Sequence, residues 1–117
     1  MGKQLGTLEQ MLMFAVVRLE NEAHGLGLRR EIERVTGRAV SPGAVYTTLD
    51  RLERQGLVSS WISDETPSTG GRRRKFYRVE PAGAELLLTG YESLNRLAEG
   101  TLVALSRLQV SASKGTG

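Results

Sequence analysis

The chain has 117 residues and a formal net charge of +3, with 16 Lys and Arg residues against 13 Asp and Glu residues. This length fits one small domain with an appendage. Cysteine is absent, which excludes disulfides and thiol catalysis and suits the reducing cytoplasm, where we expect the protein to act. The longest apolar stretch, residues 11–17, is too short to cross a bilayer, so we expect no membrane partner.

Positive charge is concentrated in the middle of the chain. Residues 38–78 carry 8 basic and 4 acidic side chains, a net charge of +4. A cluster of this kind is typical of a surface that binds a polyanion, although a solvated basic face has the same composition. The charge distribution by itself leaves both interpretations open.

Two helices are predicted before residue 40. The first begins near Thr7, which stands with Gln10 in the positions of a capping box. The second is predicted over residues 25–36, with Gly37 as its C-terminal stop. The first helix is indicated by apolar residues at helical spacing, namely Leu8, Met11, Leu12, Ala15, Val16 and Leu19.

The third predicted helix has the clearest boundaries. Ser41 is a good N-cap, Pro42 fits the first helical position, and Gly56 ends the helix. One face of this helix is apolar and consists of Val45, Leu49 and Leu52. The opposite face and its margins consist of Gly43, Ala44, Tyr46, Thr47, Asp50, Arg51 and Arg54.

A β-hairpin is predicted after the third helix. Its strands lie at residues 57–63 and 75–79, which are rich in branched and aromatic side chains. The connecting residues 64–74 have the composition of a long mobile loop rather than a tight turn. The loop leads through two glycines into four consecutive cations, in the order Gly70, Gly71, Arg72, Arg73, Arg74 and Lys75.

A long C-terminal helix is predicted from Pro81 to about residue 110. Its apolar residues follow the alternating three- and four-residue spacing of a helix seam. This seam predicts pairing with a second copy of the chain, and the alternative is that the helix folds back and buries the seam on its own domain. The small polar residues 111–117 are expected to form a disordered tail. The first helix is expected to contribute surplus apolar surface, so the predicted dimerisation residues are Leu12, Val16, Leu87, Tyr91, Leu94, Ala98, Leu105 and Leu108.

Three helices, a hairpin and a basic loop in this order describe a winged helix-turn-helix, a mainly α fold with a small β-hairpin (α+β). Residues 1–80 would bind double-stranded DNA, with the third helix in the major groove and the basic loop as a wing. Residues 81–110 would form the dimerisation helix. The predicted DNA-binding residues are Ser41, Gly43, Ala44, Tyr46, Thr47, Arg51, Arg54, Arg72, Arg73, Arg74 and Lys75.

Individual roles follow from chemistry. Thr47 and Arg51 have the reach and the donors to contact base edges. The free N–H groups after Ser41 favour a phosphate oxygen, and Gly43 allows a close approach. The hydroxyl of Tyr46 can bind phosphate, but its ring can equally support the first helix as a half-buried side chain.

Three motifs of the chain are distinctive: Leu8-Glu9-Gln10-Met11-Leu12; the run from Ser41-Pro42-Gly43-Ala44-Val45-Tyr46 to Gly56-Leu57-Val58; and Gly70-Gly71-Arg72-Arg73-Arg74-Lys75-Phe76-Tyr77-Arg78-Val79 leading to Pro81-Ala82-Gly83. With these motifs, residues 5–90 resemble the PadR family of bacterial transcriptional regulators. The resemblance implies a repressor that dimerises through its C-terminal helix and binds an inverted repeat near a promoter. It also implies that Tyr46, its neighbours and the wing cations touch DNA.

The chain departs from this family at three places. His24 stands where members often have tyrosine before the second helix, and Glu80 stands where many have threonine. Drug-responsive members hold flat ligands with a tryptophan of the C-terminal helix. The only tryptophan here, Trp61, falls on a predicted strand, so that mode of ligand binding is not expected. Whether another small-molecule effector exists is left open.

Two other classes of function compete with a DNA-binding regulator. An enzyme is disfavoured because His24 is the only histidine, so neither a typical zinc site nor a histidine-based triad can be built, and no metal or cofactor is expected. Gly25 and Gly27 lack the third glycine of a dinucleotide site. The main alternative is a winged helix that binds another protein, which would tolerate the wing cations without needing them.

Overall fold

The computed structural model describes residues 3–64 and 73–116. Within these ranges the chain forms five α-helices and one two-stranded antiparallel sheet, which confirms the predicted mainly α fold with a β-hairpin. The elements are α1 (Thr7–Leu19), a short 3-10 turn (Glu20–Glu22), α2 (Gly25–Thr36), α3 (Pro42–Arg54), β1 (Val58–Ile62), β2 (Lys75–Val79), α4 (Pro81–Ala98) and α5 (Leu102–Thr116).

Local signals set the boundaries of the first three helices. The Ser41 Oγ accepts a hydrogen bond from the backbone N–H of Ala44 at 3.2 Å, so the predicted N-cap of α3 is confirmed. The predicted bounds of α2 are also confirmed. The capping box predicted for α1 is wrong by one residue. Gly6 is the N-cap, and its N–H donates to Glu9 Oε1 at 2.8 Å because Glu9, not Gln10, occupies the third helical position.

The hairpin has a regular antiparallel register. It runs from the pair Val58 and Val79 to the pair Ile62 and Lys75, within the two predicted strands. One further backbone hydrogen bond, from Ser63 N–H to the carbonyl of Arg74 at 2.9 Å, continues the pairing past both strands. Residues 65–72 of the predicted mobile loop over residues 64–74, including the cation Arg72, lie outside the described residues.

A single apolar core joins α1, α2, α3 and the hairpin. The inner face of α3 contributes Val45, Leu49 and Leu52, each with no exposed surface. Leu12 and Val16 of α1 lie in the same core and are 0% and 3% exposed. The expectation that Leu12 and Val16 offer apolar surface to a partner is therefore wrong, because the helix-turn-helix and the hairpin already bury them.

The chain divides into two compact units, Met1–Leu87 and Leu88–Gly117. The division falls within α4 rather than at residue 80, because the first turns of that helix complete the core of the first unit. Gly83 and Leu87 are both buried there. Leu87 is thus a core residue of its own chain, which corrects its assignment to a dimerisation seam.

The second unit contains a helix break at Gly100, one of the two glycines at which the expected single helix could bend. α4 ends at Ala98 and α5 begins at Leu102, so the expected single helix over residues 81–110 is wrong. The break contains Gly100 with φ 79°, a left-handed conformation that glycine adopts without the steric cost of a Cβ. α5 then continues to Thr116, where a disordered tail is expected from residue 111.

None of the helices in the described ranges is both long enough and apolar enough to cross a membrane.

The burial of Leu12 predicts the effect of its removal. Leu12→Ala should lower the free energy of unfolding by about 2–5 kcal/mol, because it leaves a cavity among well-packed side chains. Val17→Ala on the same helix, where the residue is 56% exposed, should change it by less than about 0.5 kcal/mol. Urea denaturation of both variants measures the difference, and equal losses would place Leu12 outside the core.

Candidate nucleic-acid interface

The outer face of α3 has the pattern predicted for a recognition helix. Four of its residues, Val45, Thr48, Leu49 and Leu52, are buried against the core. The structure places the predicted contact residues on the opposite side, where they are exposed. They are Gly43, Tyr46, Thr47, Arg51 and Arg54, while Ala44 is half-buried. Their position is thus as expected, and their contact with DNA stays a prediction.

The start of α3 is open to a ligand. The side chain of Ser41 is engaged in capping Ala44, which leaves the helix start ordered by the protein itself. Gly43 lies in the first turn, and a Cβ added there would meet no atom within 4 Å. Gly43 therefore has no packing role in the free protein, and its lack of a side chain leaves room for another molecule.

Tyr46 is half-buried as a supporting side chain, but it supports α2 rather than the first helix, and its contact with phosphate stays a prediction. Its side chain is 46% exposed, yet its ring lies against Gly25 so closely that an added Cβ at Gly25 would overlap it. The ring thus supports the start of α2, not α1, and Gly25 is required for this close approach. The exposed remainder of Tyr46 stays on the surface of the recognition helix.

Arg51 has an ion-pair partner that sequence spacing does not reveal. Its Nε lies 3.6 Å from Glu9 Oε2, and Lys3 Nζ lies 3.1 Å from the same oxygen. Burial raises the pKa of Glu9, but hydrogen bonds from Gly6 and Lys3 and the charges of Lys3 and Arg51 outweigh burial and lower that pKa. A carboxylate at the start of α1 therefore orients a cation near the end of α3.

The base of the wing is tied to α3 through Glu53. Lys75 Nζ lies 3.4 Å from Glu53 Oε1, and the hydroxyl of Ser60 donates to the other oxygen of that carboxylate. Lys75 is therefore partly neutralised in the free protein. Arg73 is exposed next to it, and Arg74 is half-buried. Of the described wing cations, Arg73 and Lys75 are thus exposed, and Lys75 and Arg74 have partners.

His24 has a structural role that the sequence analysis leaves undefined. It is the N-cap of α2, and its Nδ1 accepts from the backbone N–H of Gly27 at 3.2 Å. Its ring stands edge-on to Phe76 with 5.6 Å between centroids, and Arg74 Nη1 lies 3.0 Å from Nε2. Among residues 3–64 and 73–116, no group of three or more His, Cys, Asp or Glu side chains could hold a metal ion.

Trp61 lies on β1, as predicted, and its ring is engaged within the hairpin. It stacks on Phe76 with 5.8 Å between centroids, and the guanidinium of Arg78 lies 4.9 Å from its centre. These contacts hold the aromatic face of the hairpin together.

The helix-turn-helix with its hairpin wing, and the exposed polar face of α3, define a winged helix-turn-helix protein. A family model described as the transcriptional regulator PadR-like family matches residues 13–89. The chain is 42% identical over 83 residues to the transcriptional regulator Rv3488 of Mycobacterium tuberculosis, across 71% of this chain and 73% of that protein. The chain therefore belongs to the PadR-like family of transcriptional regulators, which implies binding to DNA.

Solved structures of this family are similar in fold. A PadR family transcription regulator from Clostridium difficile superposes with a TM-score of 0.64 at 26% identity, covering 83% of this chain and 97% of that chain. A PadR-like regulator from Bacillus cereus superposes with a TM-score of 0.68 at 21% identity, covering 89% of this chain and 92% of that chain. The second likeness, at low identity, shows the fold alone.

The open space around Gly43 predicts opposite effects on stability and on binding. Gly43→Ala should raise the free energy of unfolding by about 0.5–1 kcal/mol, since alanine has the higher helix propensity. It should weaken DNA binding if the start of α3 approaches the duplex closely. Thermal unfolding and a gel-shift titration measure the two effects.

Gly90→Ala in α4 is the matched control, because a Cβ there also meets open space. It should give the gain in stability without the loss of binding. Unchanged DNA affinity in Gly43→Ala would show that the start of α3 does not lie against DNA.

Proposed function

We propose that the protein is a sequence-specific transcriptional repressor of the bacterial cytoplasm that binds an inverted-repeat operator in double-stranded DNA as a homodimer. One observation carries the DNA-binding part: the exposed face of α3 is capped at Ser41, open at Gly43 and flanked by the cations of the wing base. The repressor role and the inverted repeat are implied by family membership.

The geometry supports two kinds of DNA contact. The exposed face of α3 offers Thr47 and Arg51, whose hydroxyl and guanidinium can read base edges in the major groove. Arg73 and Arg54 are exposed cations that suit phosphate, which supplies most of the affinity and makes it depend on salt. Arg51 must exchange its contact with Glu9 for a base, so Glu9 holds it in place until DNA arrives.

Arg51→Ala tests direct readout. It should cost about 1–3 kcal/mol of binding to DNA from upstream of the gene and much less on random-sequence duplex, if Arg51 reads a base. Fluorescence anisotropy on both duplexes over a salt series measures the difference. A protein-binding module would show no steep salt dependence, and such a result would refute the DNA-binding proposal.

Glu9→Gln is the control for Arg51→Ala, since it removes the ion pair while keeping an oxygen that can accept from Gly6. If Glu9→Gln reproduces the loss of binding and also lowers the thermal stability, Arg51 acts by supporting the fold. If Arg51→Ala loses equally on both duplexes, Arg51 contacts phosphate instead of a base.

The second unit supplies the argument for a dimer. Along α4 after Leu87, and along α5, large apolar side chains are at least half exposed within a single chain. Apolar surface on this scale favours a partner surface, and a symmetric pair is the commonest solution. Two recognition helices related by a two-fold axis would suit half-sites about one helical turn apart, or a multiple of it. These side chains are Leu88, Tyr91, Leu94, Leu97, Leu102, Val103, Leu105, Leu108 and Val110.

Substitutions on both helices of the second unit test the dimer. A Leu94→Glu, Leu105→Glu variant should sediment as a monomer at micromolar concentration and lose operator affinity, because charge is placed on the apolar surface. An Arg96→Glu variant changes the net charge by the same amount at an exposed residue on the side of α4 opposite to Tyr91 and Leu94, and it should stay dimeric. A monomeric wild type would contradict the dimer, and a dimeric Leu94→Glu, Leu105→Glu variant would move the interface elsewhere.

A further inference from the structure

The base of the wing and the start of α2 are joined through His24. The backbone N–H of Tyr77 donates to the carbonyl of Ala23 at 2.9 Å, and His24 forms an antiparallel bridge with Phe76. The segment before α2 therefore runs beside β2 like a third, very short strand. His24 is placed by this backbone pairing and by the edge-on contact with Phe76.

The His24 ring meets two N–H donors at once. The backbone N–H of Gly27 points at Nδ1, and Arg74 Nη1 lies 3.0 Å from Nε2 and 3.3 Å from Nδ1. A neutral imidazole has one nitrogen that can accept a hydrogen bond, whereas a protonated imidazole has none. Because Nδ1 accepts from Gly27, Nε2 carries the ring proton, and the guanidinium of Arg74 can donate only to Nδ1, at 3.3 Å. The arrangement is therefore compatible only with the neutral ring.

Arg74 is held at both ends by these contacts. Its backbone N–H lies 3.3 Å from Ser63 Oγ, and its carbonyl accepts from the N–H of Ser63. Among the described residues, its guanidinium contacts the His24 ring and no carboxylate, so its full positive charge remains available. The neighbouring wing cation, Lys75, is instead paired with Glu53.

We propose that His24 is a positioning residue for DNA binding, in that its neutral ring holds the guanidinium of Arg74 at the start of α2, where the wing can present it to a phosphate. This inference rests on the proposed function. It assigns His24 no contact with DNA of its own. Protonation of His24 would remove the acceptor and place a second cation beside Arg74, so the wing cation would be released at low pH.

The charges around His24 set the sign of this pH dependence. Burial, and next the guanidinium of Arg74, lower the pKa of His24 below 6.5; Glu22 of the 3-10 turn raises it and Arg30 of α2 lowers it. A lowered pKa in the folded state means that the unfolded chain binds the proton first as the pH falls. The stability contributed by neutral His24 is therefore complete above pH 6.5 and is lost as the pH falls below that value.

Three variants test the proposal on random-sequence duplex and on DNA from upstream of the gene. His24→Asn keeps a good N-cap for Gly27 but removes the ring, and Arg74→Ala removes the guanidinium. Each should weaken binding by about fivefold to tenfold and lower the salt slope by about one unit. The His24→Asn, Arg74→Ala variant should bind no more weakly than Arg74→Ala, because the two side chains act as one.

Arg73→Ala provides the matched control. Its loss of affinity should add to that of His24→Asn, because the ring of His24 holds Arg74 and not Arg73, so the two substitutions act independently. Additive losses for His24 and Arg74 would show that the two side chains act separately, which would overturn the proposal.

A pH series separates the proposal from a competing explanation, in which His24 simply gains charge near DNA. The two predict changes of DNA affinity in opposite directions. Wild-type binding should weaken as the pH falls from about 8 to about 5, and His24→Asn should lack this change. A histidine that simply gained charge near DNA would tighten binding over the same range. Tighter binding by the wild type, or an unchanged pH profile in His24→Asn, overturns the proposal.

A measurement without DNA separates this proposal from the proposed function. Since His24 is the only histidine, its ring proton gives one NMR titration curve. The midpoint should lie below 6.5 in the wild type and should rise in Arg74→Ala. If this shift is seen but no duplex binds, the contact exists and the DNA-binding function fails. If duplex binds but the midpoint does not move, DNA binding stands and the positioning role fails.

Discussion

The hydrogen bond between Tyr77 N–H and the Ala23 carbonyl is the constraint on which the arrangement of the proposed interface depends. It attaches β2 to the segment that leads into α2, so the wing base has a defined position relative to the helix-turn-helix. Tyr77 is itself 1% exposed and anchors β2 in the core beneath α3. Without this attachment a two-stranded hairpin has little stability of its own, and its cations would have no fixed place.

Most of the described cations proposed to meet DNA have a protein partner in the free molecule. Arg51 contacts Glu9, Lys75 contacts Glu53, and Arg74 contacts His24. Such partners limit the rotamers of long side chains before binding, which reduces the entropy lost on ordering them against DNA. The carboxylate partners also compete with phosphate, while the neutral imidazole of His24 does not. DNA must therefore displace a carboxylate from Arg51 and from Lys75, but not from Arg74.

Several elements were predictable because their signals are local. Ser41 and Pro42 mark the start of α3, because the cap joins Ser41 to a backbone N–H only three residues away. The spacing of Val45, Leu49 and Leu52 identifies the buried face of this helix. The hairpin strands follow from branched and aromatic composition. Gly100 was identifiable as a possible bend but not as a break, because a heptad-like spacing continues across it and an isolated glycine in a helical pattern does not by itself define a stop.

The sequence by itself determined the order of the elements as far as the start of α4, the cap of α3 and the exposed polar face of α3, since each depends on residues a few positions apart. Only the tertiary structure decided what Leu12, Val16 and Leu87 contact, because the same apolar stripe can fill a core or face a partner. It also decided the pairings of Arg51 with Glu9 and of Arg74 with His24. These partners are far apart in the chain, and only the folding of α1, α2, α3 and the wing around one core brings them within contact distance.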